Sequence, residues 1–211
     1  MVEIATYAFA RAGYKVEYLN VPWIRALHGT KAGIYDAVIG VDTQESQGLV
    51  LPEAPLAEAR YTFYVREDSH WEYEGTESLS QVTLGVIRGY TYGDLWQDYI
   101  EPNSGNSRLI QTISNDGGLS QNIKKVLSGR IDVLVEDQSV MQNYFHKHPQ
   151  AGELKEAGVV HIEALYIGFS KKNRHAQSFA KIMDDGLADL KARRGLSTIL
   201  VKYGLPTMIG K

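Results

Sequence analysis

Apolar residues follow two patterns that alternate along the chain. One is the spacing of three to four residues that is typical of a helix, and the other is a short run of consecutive or alternate apolar residues that is typical of a strand. Helices are predicted over residues 2–12, 22–33, 91–100, 119–127, 138–145, 176–193 and 197–203. Strands are predicted over residues 14–18, 37–40, 61–65, 82–87, 108–113, 133–135 and 164–170. Asn115 or Asp116 is the expected cap of the helix that begins near residue 119, and residues 152–158 are expected to form a turn or short helix. The alternation of helices and strands predicts an α/β fold with parallel sheets.

One phrase of the sequence occurs twice, over residues 31–40 and again over residues 127–137. Each copy ends a helix at a glycine, Gly33 or Gly129, and then enters an apolar run, which predicts a helix, a tight turn and a parallel strand. Acidic residues follow these runs: Asp42 after the first, Glu136 and Asp137 after the second. Open parallel sheets bind ligands at this end of their strands. The two copies therefore predict two lobes that face each other across a cleft.

The composition narrows the classes of function. The 211 residues carry a net charge of −3 in which neither sign dominates, and this argues against nucleic acid as the main partner. Cysteine is absent, which excludes disulfides and thiolate metal sites, and four histidines show no metal-like spacing: His146, His148, His161 and His175. No run reaches the roughly 18 apolar residues of a membrane span. No secretory leader is visible, so a secreted protein would be present here in mature or trimmed form.

Six phrases of the chain stand in an order found in a known family: AFARAGY (residues 8–14), VPWIRAL (21–27), KAGIYD (31–36), GVIRGYTYG (85–93), GRID (129–132) and IGFSK (167–171). Through them the chain resembles the type II periplasmic solute-binding proteins of ABC importers, in the polar amino acid-binding group (bacterial extracellular solute-binding protein family 3). The resemblance covers nearly the whole chain and is specific for the family rather than for one ligand.

The resemblance implies a two-lobed fold with two parallel or mixed sheets flanked by helices. Lobe 1 would comprise residues 1–65 and 167–211, lobe 2 residues 66–166, and the chain would cross between them near residues 64–67 and 165–170. Such a protein is not an enzyme, needs no cofactor or metal, and works in the periplasm or another extracytoplasmic space. It captures a small polar ligand, an amino acid or a derivative, and delivers it to a membrane permease of an ABC transporter.

The chain departs from the family at two places. The family's opening strand, central in the first sheet, is missing before Val2, and an unfilled gap would leave buried backbone groups unpaired. We expect a segment of this chain, or of a second copy, to fill that gap. In addition, residues 43–47 lack the arginine with which relatives hold an α-carboxylate, so an ordinary α-amino acid is a less favoured ligand.

Three candidate ligand contacts come from the first half of lobe 1. Trp23 follows Pro22 at the start of a helix, and the resemblance implies that it stacks on the ligand; the alternative is a core tryptophan. Asp42 would accept a hydrogen bond from an amine or hydroxyl of the ligand, or else serve only to form a turn. Gly40 would let the ligand approach the backbone, or would simply end the strand.

Six further candidates come from lobe 2: Arg88, Tyr90, Thr91, Tyr92, Glu136 and Asp137. The first four join a strand to a predicted helix, whose free N–H groups would attract a carboxylate, with Arg88 adding charge and Thr91 a hydroxyl. The alternative is a plain strand-to-helix turn. Asp137 would bind an ammonium group, or would only cap the helix over residues 138–145, and these roles are compatible.

Acidic and basic candidates together predict a zwitterionic or small peptide-like ligand. Two other classes of function remain open. One is a ligand-sensing module for a receptor or regulator, which would need another chain. The other is a dehydratase-like enzyme on the same fold, in which a buried Glu136 would act as acid or base.

Overall fold

The computed structural model describes residues 1–113, 117–149, 154–203 and 205. The helices are α1 (Val2–Arg11), α2 (Trp23–Ala32), α3 (Glu101–Asn103), α4 (Gly118–Leu127), α5 (Gln138–Lys147), α6 (Ala176–Ala192) and α7 (Gly195–Lys202). The strands are β1 (Ala37–Val41), β2 (Leu49–Val50), β3 (Ala57–Arg66), β4 (Leu84–Ile87), β5 (Ile110–Ile113), β6 (Val133–Asp137) and β7 (Leu154–Ser170). None of the helices in this part of the chain is long and apolar enough to cross a membrane.

The chain forms two compact units, the first made of Met1–Glu58 with Ala164–Lys211 and the second of Ala59–Glu163. The strands β3 and β7 carry the chain from one unit into the other. The predicted α/β class is confirmed, with a mixed rather than purely parallel arrangement of strands. The expected caps Asn115 and Asp116 lie outside the described residues, as do residues 152 and 153, whereas residues 154–158 belong to β7 instead of a turn.

In the first unit, β1 and β2 both pair antiparallel with β7, for example through Val38 opposite Gly168. The parallel strand predicted from the first copy of the repeated phrase is therefore wrong in its pairing, because β7 runs against the direction of β1. One apolar cluster packs α1 and α6 against β7, and its buried members are Ile4, Ala5, Ala8, Phe9, Leu56, Ile167, Phe169, Ala176, Ala180, Met183, Leu187, Leu190 and Leu196. A second cluster packs α2 against Val38, Val41 and Leu49.

In the second unit, the strands lie in the order β7, β3, β6, β4, β5. The strand β4 runs parallel to β5 and β6, whereas β3 runs antiparallel to β6, with Tyr61 opposite Asp137. The second copy of the repeated phrase thus delivers the parallel strand that it predicted. Because β6 has a neighbour on each side, its residues Val133 to Glu136 are buried, and this places the acidic end of the strand inside the unit.

Two predicted elements differ from the structure. Residues 14–18 form no strand, because none of the described strands pairs with them, and the N–H of Tyr14 instead bonds back to the carbonyl of Phe9. The helix predicted to begin at Thr91 begins only at Leu95 and runs through a π-helical turn at Trp96–Ile100. Tyr92 and Gly93 have φ of 52° and 59°, left-handed conformations that cannot belong to a right-handed helix.

The expectation that a segment of this chain fills the gap beside β1 is not met by the described residues. The second edge of β1 borders a groove of about 470 Å³, and residues 14–19 line that groove without pairing with β1.

Candidate functional site

Glu136 is a buried carboxylic acid at the end of the central strand β6 of the second unit. It is only 2% exposed, and its Oε1 accepts a hydrogen bond from the N–H of Asp137 at 3.0 Å. The pKa of Glu136 is raised to about 8, chiefly by burial; the hydrogen bond from the Asp137 N–H opposes this rise, and the Asp137 charge adds to it. The carboxyl group is therefore mostly protonated at neutral pH and can become charged when a cation approaches.

The side chain of Asp137 connects the end of β6 to the start of α5 and to β3 through two hydrogen bonds. One carboxylate oxygen caps α5 by accepting from the N–H of Val140 at 3.0 Å, and the other accepts from the N–H of Arg60 on β3 at 2.9 Å. Burial nevertheless raises the pKa of Asp137, because desolvation outweighs these hydrogen bonds. The capping role is confirmed, and contact with a ligand stays a prediction.

Three tyrosines, Tyr61, Tyr90 and Tyr92, lie near enough to Glu136 for its charge to raise the pKa of each. Tyr61 and Tyr92 meet edge to face with ring centroids 5.7 Å apart, and Tyr90 lies 5.8 Å from Tyr92. Burial first, and the charge of Glu136 next, raise the pKa of Tyr90 to about 12 and that of Tyr92 well above its usual value. The hydroxyl groups therefore stay neutral and can donate hydrogen bonds, and the ring faces can attract a cation.

His161 and Glu163 on β7 complete this set of groups and were not anticipated from the sequence. The imidazole Nε2 of His161 lies 3.4 Å from the Glu163 carboxylate, and its ring stacks on Tyr61 at 6.4 Å. Burial, followed by the charge of Glu163 and a hydrogen bond to it, raises the pKa of Tyr61. We call Tyr61, Tyr90, Tyr92, Glu136, Asp137, His161 and Glu163 the tyrosine–carboxylate cluster.

Tyr92→Phe is expected to destabilise the protein by about 1–2 kcal/mol, because the Tyr92 hydroxyl accepts the N–H of Ile87 at 2.8 Å and phenylalanine leaves that donor unpaired. Urea unfolding of the two proteins measures the difference. Tyr90→Phe is the matched control, because the Tyr90 residue is 36% exposed and water can solvate its surroundings. Equal losses in both variants would contradict this role for Tyr92.

The predicted carboxylate site around Arg88 and Thr91 lacks the helix start on which it was based. Arg88 is exposed, and its N–H donates to the carbonyl of Ile113, whereas Thr91 precedes the left-handed residues rather than a helical turn. Both residues remain predicted ligand contacts through their side chains, but the helix-dipole argument does not apply to them.

In the first unit, Trp23 is the first residue of α2 and is half-buried. Its indole Nε1 donates to the Glu45 carboxylate at 2.9 Å, and its ring packs beside Val38. Asp42 is 5% exposed and its Oδ1 accepts the N–H of Glu45 at 2.7 Å, which supports the predicted turn-forming role. Contact of either residue with a ligand stays a prediction.

Gly40 has a φ of 98° at an irregularity in the pairing of β1 with β7. Only glycine adopts this conformation without strain, so the shape of the backbone is enough to explain why a glycine stands at position 40. Contact of Gly40 with a ligand stays a prediction.

A group of carboxyl, phenol and imidazole side chains of this kind suits non-covalent recognition of a cationic group. Among the described residues, neither Glu136 nor Asp137 pairs with a lysine or arginine. The same part of the chain contains no group of three or more histidine, aspartate and glutamate side chains arranged to hold a metal ion.

Solved structures with the same fold include several binding proteins. A mutant of ArgBP from T. maritima is 18% identical, with 96% of this chain and 83% of that chain covered and a TM-score of 0.74. An amino acid ABC transporter substrate-binding protein from Streptococcus pneumoniae, bound to L-arginine, is 15% identical, with 96% and 82% covered and a TM-score of 0.75. A histidine kinase sensor domain with similarity to periplasmic binding proteins is 16% identical, with 96% and 84% covered and a TM-score of 0.75.

At these identities the likeness establishes the fold, which is that of the periplasmic binding proteins. A search of curated protein sequences found no match. The sequence model of one family, in contrast, matches residues 1–206, nearly the full length of the chain. The chain belongs to the bacterial extracellular solute-binding proteins, family 3.

Proposed function

We propose that this protein captures a small cationic or zwitterionic solute, an amino acid or a derivative, through the tyrosine–carboxylate cluster. The observation that carries the proposal is the pair Glu136 and Asp137, two buried or half-buried carboxyl groups beside tyrosine rings and without a lysine or arginine partner among the described residues. A ligand ammonium or guanidinium group would supply the missing positive charge, and charge-assisted hydrogen bonds are the stronger kind.

The arginine-bound neighbour from Streptococcus pneumoniae and the family match support a solute of this class. They also support delivery of the solute to an ABC permease from an extracytoplasmic location, which we include in the proposal. Catalysis is not part of it, and no turnover of cyclohexadienyl acids such as prephenate is expected.

The proposal is tested by a thermal-shift screen of dialysed protein against basic, neutral and acidic amino acids, polyamines and organic acids. A bound solute raises the melting temperature by mass action, and a hundredfold excess over Kd adds about 2.7 kcal/mol to the free energy of unfolding. We expect the largest shifts from solutes that carry an ammonium or guanidinium group. Shifts from carboxylic acids alone would overturn the proposal.

Asp137→Asn and Asp137→Ala separate the structural role of Asp137 from its charge. Asparagine keeps the helix cap through its amide oxygen but loses the acceptor for the N–H of Arg60, so Asp137→Asn is expected to lose about 1 kcal/mol of stability. Asp137→Ala removes both acceptors and is expected to lose about 2 kcal/mol. Both variants lack the carboxylate, so both are expected to weaken binding of the cationic solute at least tenfold. Calorimetric titration measures the affinity, and unchanged affinity in Asp137→Asn would show that this charge does not contact the solute.

A second candidate function, a ligand-sensing module of a signalling protein, is favoured by the likeness to the histidine kinase sensor domain. The two functions share solute capture and differ in the partner. Solute-dependent stimulation of ATP hydrolysis by a reconstituted permease would support transport, and its absence with permeases from the same genome would favour sensing.

A further inference from the structure

Glu136 lies in the interior of the second unit, where water cannot compensate a charge on its carboxyl group. It stands opposite the fully buried Thr62 in the antiparallel pair of β3 and β6, and β4 runs along the other edge of β6. Among the described residues, no lysine, arginine or histidine forms an ion pair with Glu136. A carboxylate without water or a counter-charge is strongly disfavoured, so the packing itself keeps Glu136 protonated at neutral pH.

The neighbouring carboxyl group of Asp137 carries the negative charge of this pair. Its two oxygens accept the N–H groups of Val140 and Arg60, and hydrogen bonds of this kind favour the ionised form. Two like charges at consecutive positions disfavour each other, so the charge on Asp137 opposes a second one on Glu136. The proton of the pair therefore stays on Glu136 until a positive charge arrives.

Four phenol groups on β3 and in the turn after β4 face Glu136 closely enough for its charge to raise their pKa: Tyr61, Tyr64, Tyr90 and Tyr92. Burial raises the same pKa values more strongly, so these phenols stay neutral and supply no counter-charge. The other titratable residues of β3, the second-unit part of β7, α4 and α5, and the residue directly after β4, are Glu58, Arg60, Arg66, Lys155, Glu156, His161, Glu163, Lys124, Lys125, Tyr144, His146, Lys147 and Arg88. None of them forms an ion pair with Glu136.

A bound cation removes the reason for which Glu136 keeps its proton. The carboxylate of Asp137 and the partly exposed ring of Tyr90 are positions at which the tyrosine–carboxylate cluster would hold an ammonium or guanidinium group. A positive charge there lies beside Glu136 and favours its ionised form without touching it. We propose that capture of a cationic solute by the tyrosine–carboxylate cluster expels the proton of Glu136, so that the affinity for the solute rises with pH. This inference rests on the proposed function and adds a regulation by pH to it.

The direction of the effect follows from the linkage between proton and solute, which is reciprocal. In the free protein the pKa of Glu136 is about 8, and the positive charge of the solute lowers it in the complex. Between these two pKa values each solute that binds releases up to one proton, so Kd falls by up to about tenfold per pH unit. We expect the affinity for a cationic solute to rise about tenfold or more from pH 6 to pH 8 and to level off above that.

Calorimetric titration of the unsubstituted protein with L-arginine tests the proposal. The heat of binding at pH 7 is measured in phosphate and in Tris, and the difference, divided by the difference in the ionisation heats of the two buffers, counts the protons released. We expect about half a proton or more per arginine. L-Citrulline, in which a neutral urea group replaces the guanidinium group, is the matched control solute, and its binding is expected to release none.

A pair of variants assigns the proton to its residue. Glu136→Gln is expected to release no proton and to bind L-arginine with an affinity that changes less than about twofold from pH 6 to pH 8. His161→Gln is the control, because a histidine also changes its charge in this range, and proton release is expected to persist in it whatever its affinity. Unchanged proton release in Glu136→Gln would assign the proton to another group and overturn the proposal.

The same titrations separate this inference from the proposed function. Binding of L-arginine to the unsubstituted protein without proton release, at an affinity that is constant from pH 6 to pH 8, would overturn the inference and leave solute capture standing. If L-arginine, L-lysine and putrescine all fail to bind at pH 8, the proposed capture of a cationic solute and this inference are both wrong.

Discussion

Glu136→Gln is expected to become more stable than the unsubstituted protein as the pH rises from 5 to 9. Burial raises the pKa of Glu136 from 4.5 to about 8 in the folded protein, while the unfolded chain releases this proton near 4.5. Between these two values the folded state binds more protons than the unfolded state, so stability falls as the pH rises, by up to about 1.4 kcal/mol per pH unit. The contribution is complete below pH 4.5 and is lost as the pH passes through about 8.

Glutamine keeps the acceptor for the Asp137 N–H but does not ionise. The free energy of unfolding of Glu136→Gln therefore lacks this fall with rising pH. Urea unfolding at pH 5, 7 and 9 measures the difference, which we expect to reach several kcal/mol at pH 9. Glu77→Gln is the matched control, because Glu77 is an exposed glutamate of the same unit. If the stabilities of Glu136→Gln and the unsubstituted protein run parallel over this pH range, the carboxyl group does not stay protonated in the folded state.

Gly186→Ala is expected to destabilise the first unit by about 3 kcal/mol, a large effect for a single methyl group. A Cβ at position 186 would press on the Cβ of Ala8 and lie 2.6 Å from its Cα. Because the obstacle is backbone on α1 rather than the end of a flexible side chain, the two helices would have to separate. The gain in helix propensity from alanine, about 1 kcal/mol, does not offset this repulsion.

Thermal or urea unfolding of Gly186→Ala measures this loss. Gly105→Ala is the control, since a Cβ at that position meets nothing within 4 Å and its stability should stay within about 0.5 kcal/mol of the original. A Gly186→Ala variant as stable as Gly105→Ala would show that α1 and α6 pack less closely than the structure indicates.

The repeated phrase carried most of what the sequence could predict. It placed β1 and β6, and it identified Glu136 and Asp137 as residues at the end of a buried strand. These predictions succeed because helix ends, glycine turns and apolar runs are local features. The buried state of Glu136 follows from the two neighbours of β6, which the uninterrupted apolar run already indicated.

Tyr61, His161 and Glu163 were missed because they join the cluster through pairing of distant strands. The register that places Tyr61 opposite Asp137 depends on β3 and β6, which are about 70 residues apart in the chain, and no local pattern specifies it. Gly93 offered an indirect signal, since a Cβ there would lie 2.7 Å from Nε2 of His161, but that constraint becomes visible only in three dimensions. The predicted helix start at Thr91 failed for a related reason, the left-handed conformation of Tyr92.

The pairing of α1 with α6 sets an order of events during synthesis on the ribosome. Residues from both ends of the chain, such as Ile4 and Leu187, share one core, so α1 must wait until α6 has emerged. The second unit is a continuous stretch, Ala59–Glu163, and its core needs nothing that is translated later. Domains usually fold in the order of translation, but α1, although it is translated before the second unit, is expected to acquire its final environment after that unit.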